Sequence, residues 1–280
     1  MPVAADSRVT SHGHIHLEPG TDVDGFEIVE TIVVGGASAT YRALHRALDR
    51  HVALKLLQPA TFADEHGSLA AAREAAGRVA RLEHPSIAPV YASGVLHGGL
   101  WIAGALLEGR TLAAPAKLPG LTPDDVARIV GQAGAALGHA HAQGIQHRDL
   151  RPDCVVLDAW GHVRLHDFGV ARTSGRTGLL SRSEILETLR FTAPELVLGR
   201  PATPATDVYA LAAVAVWCLT GEPPHPDLPL AEYVVERTSA APPALHAPDG
   251  AVAGPLSAAV ADAMRSDPGD RCSLSALTAA

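Results

Sequence analysis

The chain has 280 residues, of which 47% are hydrophobic and 19% are charged, a balance typical of a folded globular protein with one large domain or two lobes. Its formal net charge of −8 argues against nucleic acid as a partner, because surfaces that bind nucleic acid are normally basic. Three widely spaced cysteines, no signal-peptide pattern and no apolar run long enough to span a bilayer predict a cytoplasmic chain without a membrane span.

Residues 1–24 carry little apolar pattern, although three histidines alternate there, His12, His14 and His16. Alternating histidines can bind a metal ion, but they need a rigid scaffold to do so. We therefore interpret residues 1–24 as a flexible N-terminal tail.

The segment that follows has mainly the pattern of strands. From Phe26 to Leu57, β-branched runs are broken by a glycine pair, as in successive strands. Residues 68–83 are rich in Ala, Arg and Glu and predict one helix, which ends before His84 and the proline that follows it. Further strands are predicted at 87–92 and 100–107.

After Gly109 the pattern becomes mainly helical. Thr122 and Asp125 resemble a capping box, which predicts a helix from there through His141. Strands first and helices later predict an α+β protein in two parts. The remaining predicted elements are short strands at 154–157 and 163–165 and helices at 206–220, 229–238 and 255–265.

Four short segments carry most of the functional signal. They are Val52-Ala53-Leu54-Lys55, His147-Arg148-Asp149-Leu150-Arg151-Pro152-Asp153-Cys154, Asp167-Phe168-Gly169 and Ala193-Pro194-Glu195. In order and spacing they resemble the signature set of the protein kinases, here of the bacterial serine/threonine type. The resemblance covers residues 25–280. It implies a bilobal protein kinase-like fold, with a β-rich N-lobe and hinge at 25–107 and an α-helical C-lobe at 108–280.

The resemblance also implies a chemistry, with ATP and magnesium as cofactors and a protein substrate or signalling partner. Lys55 would hold the α- and β-phosphates, Asp167 would bind magnesium, and Asp149 would orient the substrate hydroxyl. Arg151 would contact the γ-phosphate as a third catalytic group. The other predicted nucleotide contacts are positions of the phosphate loop, the following strand and the hinge: Gly35, Gly36, Ser38, Ala53, Ala105 and Leu107.

Other positions resemble structural parts of the family. Asp207 would tie the backbone of the catalytic loop, and Glu195 would pair with Arg271 to pin the activation segment. Thr188 resembles the threonine that marks serine/threonine specificity. Because Arg148 precedes the catalytic Asp, we predict a phosphorylated residue within 173–183 that pairs with it.

Several positions depart from the family pattern. In the phosphate loop only Gly35 of three expected glycines remains, next to Gly36. Cys154 stands where the family has an Asn that binds a second magnesium ion, and a thiol suits magnesium poorly. Arg151 replaces a Lys, and the guanidinium fork is larger than an ammonium group.

Two further departures lie in the N-lobe. The helix Glu that should pair with Lys55 aligns without a gap to Ala75, and Glu74 is one residue too early unless a bulge shifts it. Gly104 stands where a bulky gatekeeper is usual, which would open the pocket toward the helix behind it.

Two hypotheses follow. The first is an ATP-dependent serine/threonine protein kinase with slow or conditional activity, and it rests on Lys55, Asp149 and Asp167. The second is a pseudokinase that acts as a nucleotide-binding or protein-interaction signalling module, and it rests on Cys154, the eroded loop and the shifted Glu. We favour the enzyme, because the charged groups that the chemistry needs are retained. Small-molecule phosphotransferases of kinase-like fold are disfavoured by the long segment from Asp167 to Glu195.

Overall fold

The computed structural model describes residues 7–9, 14–62, 68–113, 121–169, 188–225, 232 and 254–280. These residues form two compact units. The first unit contains the described residues up to Glu83, together with Ala88–Leu107 and Gly169. The second contains His84–Ile87, Glu108–Phe168 and the described residues from Thr188 onward.

The first unit is built on a six-stranded antiparallel sheet with the strand order β3-β4-β5-β6-β8-β7. Its strands are β3 (Asp22–Val23), β4 (Phe26–Val34), β5 (Ser38–His45), β6 (Arg50–Leu57), β7 (Val90–Leu96) and β8 (Gly99–Ala105). Successive side chains alternate between the two faces of a strand, so one face collects the apolar residues. That face forms the core of the unit, with Val23, Phe26, Ile28, Tyr41, Val52, Leu54, Leu56, Trp101 and Ala103.

The opposite face of the sheet is covered by α1 (Leu69–Val79), whose N-cap residue is Ser68. The Ser68 hydroxyl accepts a hydrogen bond from the backbone N–H of Ala71 at 3.0 Å, as an N-cap does. Ala72 and Ala76 of the helix pack against Leu57 and Leu100 of the sheet. Such small side chains allow the helix to approach the strands closely.

The N-terminal segment is part of this unit, and the predicted flexible tail is wrong for residues 14–24. β1 (Ser7–Val9) pairs with β2 (Ile15–Leu17), and the first and last residues of β2 are buried in the core. The side-chain amide of Gln58 accepts a bond from the Ile15 N–H at 2.8 Å and donates one to its carbonyl at 2.9 Å. A three-residue strand with two apolar side chains is too short to produce a recognisable sequence pattern.

The histidines of this segment do not form a metal site in the part of the chain that can be described. His12 lies outside the described residues, and Nε2 of His16 lies 3.8 Å from Oε1 of Glu18. Nowhere among the described residues do three His, Cys, Asp or Glu side chains come together so that they could hold a metal ion.

The second unit is mainly helical. The helices named among its described residues are α2 (Pro123–Ala142), α3 (Pro194–Val197), α4 (Pro204–Thr220), α5 (Gly254–Ala263) and α6 (Leu274–Thr278). A small sheet is formed by β9 (Arg110–Thr111), β10 (Val155–Leu157) and β11 (Val163–Leu165). The predicted capping box is confirmed, because the Thr122 hydroxyl accepts from the Asp125 N–H while Asp125 accepts from the Thr122 N–H. The two units together confirm the predicted α+β class.

Three expectations concern membranes or residues beyond the described ranges. The predicted helix at 229–238, apart from residue 232, and the predicted phosphorylation at 173–183 lie outside the described residues. None of the described helices combines the length and the apolarity needed to cross a bilayer.

Candidate active site

The segment from His147 to Cys154 is anchored by Asp207, whose side chain is fully buried in the first turn of α4. The Asp207 carboxylate accepts hydrogen bonds from the backbone N–H groups of His147 and Arg148, both at 2.8 Å. The His141 ring nitrogen Nε2 lies 2.7 Å from the same carboxylate. The predicted tie between Asp207 and the loop is therefore confirmed. The contribution of His141, near the end of α2, was not predicted, because nothing local distinguishes it from the other histidine of that helix.

Arg148 and Asp167 both hold an unusual backbone conformation. Their φ angles are 68° and 67°, in the left-handed region that side chains other than Gly enter at a cost. Such strain persists where the surroundings fix the backbone, and it concentrates at functional sites. For Arg148 the fixing contact is the bond from its N–H to Asp207. The structure thus holds the residue before Asp149, and Asp167 itself, in set orientations.

His147 joins the catalytic loop, which carries Asp149, to the segment Asp167-Phe168-Gly169. Its Nε2 lies 3.0 Å from the carbonyl oxygen of His166, and its ring lies 4.6 Å from that of Phe168. Burial lowers the pKa of His147, despite the opposing charges of Asp207, Asp149 and Asp167. The ring is therefore neutral at pH 7 and donates from Nε2. This bond links the catalytic loop to the segment that carries Asp167.

Asp167 is followed by a buried Phe168 and preceded by His166. Nδ1 of His166 lies 3.4 Å from Oδ2 of Asp167, and both side chains are about one-third exposed, at 31% each. A partly exposed carboxylate offers the hard oxygen ligands that magnesium prefers. His166 was not among the predicted site residues, although its place directly before the motif was the available signal.

Asp149, Arg151 and Cys154 lie together in the second unit. The Cys154 side chain is 3% exposed, and its thiol donates to the Asp149 carbonyl at 3.5 Å. Nε of Arg151 lies 3.7 Å from a carboxylate oxygen of Asp153. Burial alone would lower the pKa of the Arg151 guanidinium, but Asp149, Cys154 and Asp153 outweigh it and hold that pKa above its ordinary value. Arg151 is consequently a permanent cation beside Asp149.

Asp149 and Thr188 line the same small cavity. The other lining residues are mainly apolar and include Phe191, Ala193 and Leu196. The Thr192 hydroxyl donates to the Thr188 carbonyl at 2.7 Å, which fixes the backbone that carries this wall. The cavity therefore brings the predicted catalytic carboxylate and the predicted specificity threonine to one place.

The wall of this cavity is pinned by the predicted pair of Glu195 and Arg271, which is confirmed. Two parallel bonds of 2.9 and 2.8 Å join the guanidinium to the carboxylate, and Glu195 also accepts from the Thr206 hydroxyl. Burial by itself would raise the pKa of Glu195, but the hydrogen bonds and charge of Arg271 outweigh it and hold the pKa below its usual range.

The predicted nucleotide contacts of the N-lobe lie in the first unit. Lys55 in β6 is the neighbour of Thr40 on one side and of Ile102 on the other. Because Leu54 belongs to the core, strand alternation places Lys55 on the opposite face, which α1 covers. Ala53 lies on the same face as Lys55, directly opposite Gly104 of β8.

The remaining predicted contacts lie at the edges of this face. The Gly35 N–H donates to the Ser38 carbonyl at 2.9 Å, so the turn between β4 and β5 is closed with Gly36 inside it. Ala105 ends β8, and Leu107 ends the stretch Ala88–Leu107 of the first unit.

Gly104 is a glycine because the backbone of Pro89 comes close to it. A Cβ at Gly104 would lie 2.9 Å from the Pro89 carbonyl oxygen, which already accepts a bond from the Ala105 N–H at 3.0 Å. At the place where the family has the Glu that pairs with the strand Lys, this chain has Ala75, which is buried, and the neighbouring Glu74 is exposed. The helix α1 runs without the bulge that would turn Glu74 inward.

Comparisons with known proteins agree with this arrangement. A family model described as protein kinase domain matches residues 26–277. The serine/threonine-protein kinase PknD of Mycobacterium tuberculosis is 34% identical over 207 residues, which are 74% of this chain and 31% of that protein. PknJ of Mycobacterium bovis is 34% identical over 212 residues, 74% of this chain and 36% of that protein. The chain thus spans about a third of the length of these curated relatives.

Solved structures show the same likeness. One crystal structure of the kinase domain of Mycobacterium tuberculosis PknI superposes with a TM-score of 0.71 at 27% identity, over 94% of this chain and 99% of that one. A second crystal structure of the same domain gives a TM-score of 0.72 at 27% identity, over 94% of this chain and 97% of that one. The predicted kinase-like fold class is therefore confirmed.

Proposed function

The chain belongs to the bacterial serine/threonine protein kinase family, and from this premise we propose that it transfers the γ-phosphate of ATP to Ser or Thr side chains of proteins. The observation that carries the proposal is the arrangement around Asp149. Its loop is fixed by the fully buried Asp207, and its cavity is shared with Thr188. Orientation of this kind is what phosphoryl transfer asks of a protein, because little covalent chemistry is needed.

In this proposal each charged side chain has one task. Asp149 accepts a hydrogen bond from the substrate hydroxyl and orients its oxygen toward the phosphate. Arg151, a permanent cation beside Asp149, contacts the γ-phosphate. Lys55 neutralises the α- and β-phosphates, and the backbone at Ala105 and Leu107 meets the adenine. The turn at Gly35, Gly36 and Ser38 covers the phosphates, with Ala53 against the base.

Magnesium fits Asp167 but not Cys154. Asp167 offers a partly exposed carboxylate in a fixed backbone conformation, and magnesium is usually bound by one or two carboxylates together with substrate phosphates. The ion would neutralise phosphate charge there. Cys154 offers a buried thiol whose hydrogen is donated to Asp149, which is a poor match for a hard cation.

The slow or conditional activity that we propose follows from the same residues. One expected metal ligand is replaced by Cys154, and Glu74 does not face the sheet. We also propose a cytoplasmic location, where ATP and protein substrates are available. The three cysteines are free thiols, as is usual in a reducing compartment.

The proposal is tested by nucleotide binding. A non-hydrolysable ATP analogue with magnesium is expected to raise the melting temperature of the wild-type chain, and Lys55→Met is expected to abolish that rise. Arg42→Met, which removes an exposed cation from the neighbouring strand, is the matched control and is expected to keep the rise. If Lys55→Met is stabilised as strongly as wild type, the nucleotide binds elsewhere. If folded wild type is not stabilised at all, the proposal fails.

A further inference from the structure

The two unusual residues of the catalytic loop, Arg151 and Cys154, are structural neighbours. The Cys154 N–H donates to the Arg151 carbonyl at 2.9 Å, which closes the short turn Pro152–Cys154. The side chains also interact, since the Cys154 sulfur is among the groups that hold the Arg151 guanidinium in its charged form. The two substitutions therefore change a single place in the site.

The thiol at this place cannot act as an oxygen ligand. Cys154 is 3% exposed and its hydrogen is directed at the Asp149 carbonyl, 3.5 Å away. Magnesium binds oxygen and keeps several waters, neither of which a buried thiol accommodates. The donor set beside Asp149 is thus one ligand short of a second ion.

At the same place the guanidinium keeps the positive charge of the family's Lys, but it is a larger, planar group. Nε of Arg151 lies 3.7 Å from Oδ2 of Asp153, and the guanidinium is attracted by the carboxylate charge of Asp149. The positive charge is therefore held close to the catalytic group. A hydrated divalent cation beside Cys154 would have to share its space with this larger group, which a compact ammonium leaves open. Phosphate oxygens, in contrast, match the planar fork of N–H donors.

We infer that this site works with one metal ion, at Asp167, and that the Arg151 guanidinium, beside Cys154, occupies the place where a second ion would lie. The inference rests on the proposed function, since it concerns the nucleotide-bound site. It makes Arg151 and Cys154 a coupled pair. Neither Cys154→Asn nor Arg151→Lys alone is expected to create a second ion site. The double variant is expected to create one.

Counting bound ions tests the inference without any measurement of activity. The chain is saturated with a non-hydrolysable ATP analogue and titrated with Mn²⁺, and free Mn²⁺ is followed by electron paramagnetic resonance. We expect one bound ion for wild type and for each single variant, and two for Cys154→Asn with Arg151→Lys. Asp167→Asn is the control and is expected to lose the one ion.

The outcomes separate this inference from the proposed function. Binding of the analogue is measured first, and a folded chain that does not bind it overturns both. Two ions on nucleotide-bound wild type overturn the one-ion site alone. Two ions on Cys154→Asn overturn the role of Arg151, and a folded double variant with one ion overturns the coupling. The wild-type count decides the main claim even if the double variant does not fold.

Discussion

Asp207 places a carboxylate in the interior of the second unit with no exposed surface. A buried charge is costly unless its oxygens are hydrogen-bonded, and here the N–H groups of His147 and Arg148 and the ring of His141 compensate it. The same contacts fix the loop that carries Asp149. At this residue, stability and the orientation of the catalytic group have one cause.

Replacing Asp207 by Asn tests that cause. The variant keeps the shape of the side chain but turns an NH₂ group toward at least one N–H or ring nitrogen that needs an acceptor. We expect a loss of about 1–3 kcal/mol in the free energy of unfolding, measured by denaturant titration. Asp262→Asn is the control, since Asp262 makes an exposed pair with Arg265, and its loss is expected within about 0.5 kcal/mol. Equal losses in the two variants would contradict the anchoring role.

Glu195 predicts a pH dependence of stability. Because its folded pKa lies below the unfolded value, its contribution is present above about pH 4.3 and is lost as the pH falls through the folded pKa. Glu195→Gln should cost about 3–5 kcal/mol at pH 7, since it leaves the buried Arg271 charge without its partner. Denaturant titrations between about pH 3 and 7 should then converge for wild type and variant at the acidic end. If the free energies of unfolding of wild type and variant differ by the same amount at every pH, this ion pair is not the source of the pH dependence.

At the scale of elements, the segment before β7 comes so close to β8 that it explains why residue 104 is a glycine. The motif alone did not explain this. We expect Gly104→Ala to destabilise the chain by about 1–3 kcal/mol, because the new Cβ meets the Pro89 carbonyl oxygen at 2.9 Å. Gly131→Ala is the matched control. It lies in α2 with open space around it, and the change should stabilise the chain by about 0.5–1 kcal/mol. Urea titration of both variants is sufficient, and a Gly104→Ala chain as stable as wild type would show that the segment before β7 moves away from β8 without cost.

The elements also show what the sequence could predict. The capping box at Thr122, the tie of Asp207 and the Glu195–Arg271 pair were predictable because each is a short motif with a fixed structural meaning. The direction of the Glu74 side chain was not predictable, because the rotation of the helix about its axis depends on which small residues pack against the sheet. β2 was missed because its place depends on Gln58, which is 43 residues away in the chain.

At the scale of the whole molecule, the N-terminal segment belongs to the first unit. Gln58→Ala leaves the buried N–H and carbonyl of Ile15 without partners, and we expect a loss of about 1–3 kcal/mol in stability. Gln143→Ala, which removes an exposed amide near His139, should have little effect. Limited proteolysis gives a second measurement, because a docked segment resists cleavage within 14–24 and a flexible tail does not. Rapid cleavage within 14–24 in folded wild type would instead support a flexible tail.

The central claim concerns phosphate transfer by the whole chain. The most direct measurement is intact mass spectrometry after incubation with ATP, magnesium and a general protein substrate, for wild type, Asp149→Ala and the exposed control Asp262→Ala. We predict phosphate on wild type or on the substrate, with the same yield for Asp262→Ala. For Asp149→Ala we predict a rate at least about 10²-fold lower, because the group that orients the hydroxyl is gone. The account is contradicted if folded, nucleotide-bound wild type transfers no phosphate, or if Asp149→Ala transfers it at the wild-type rate.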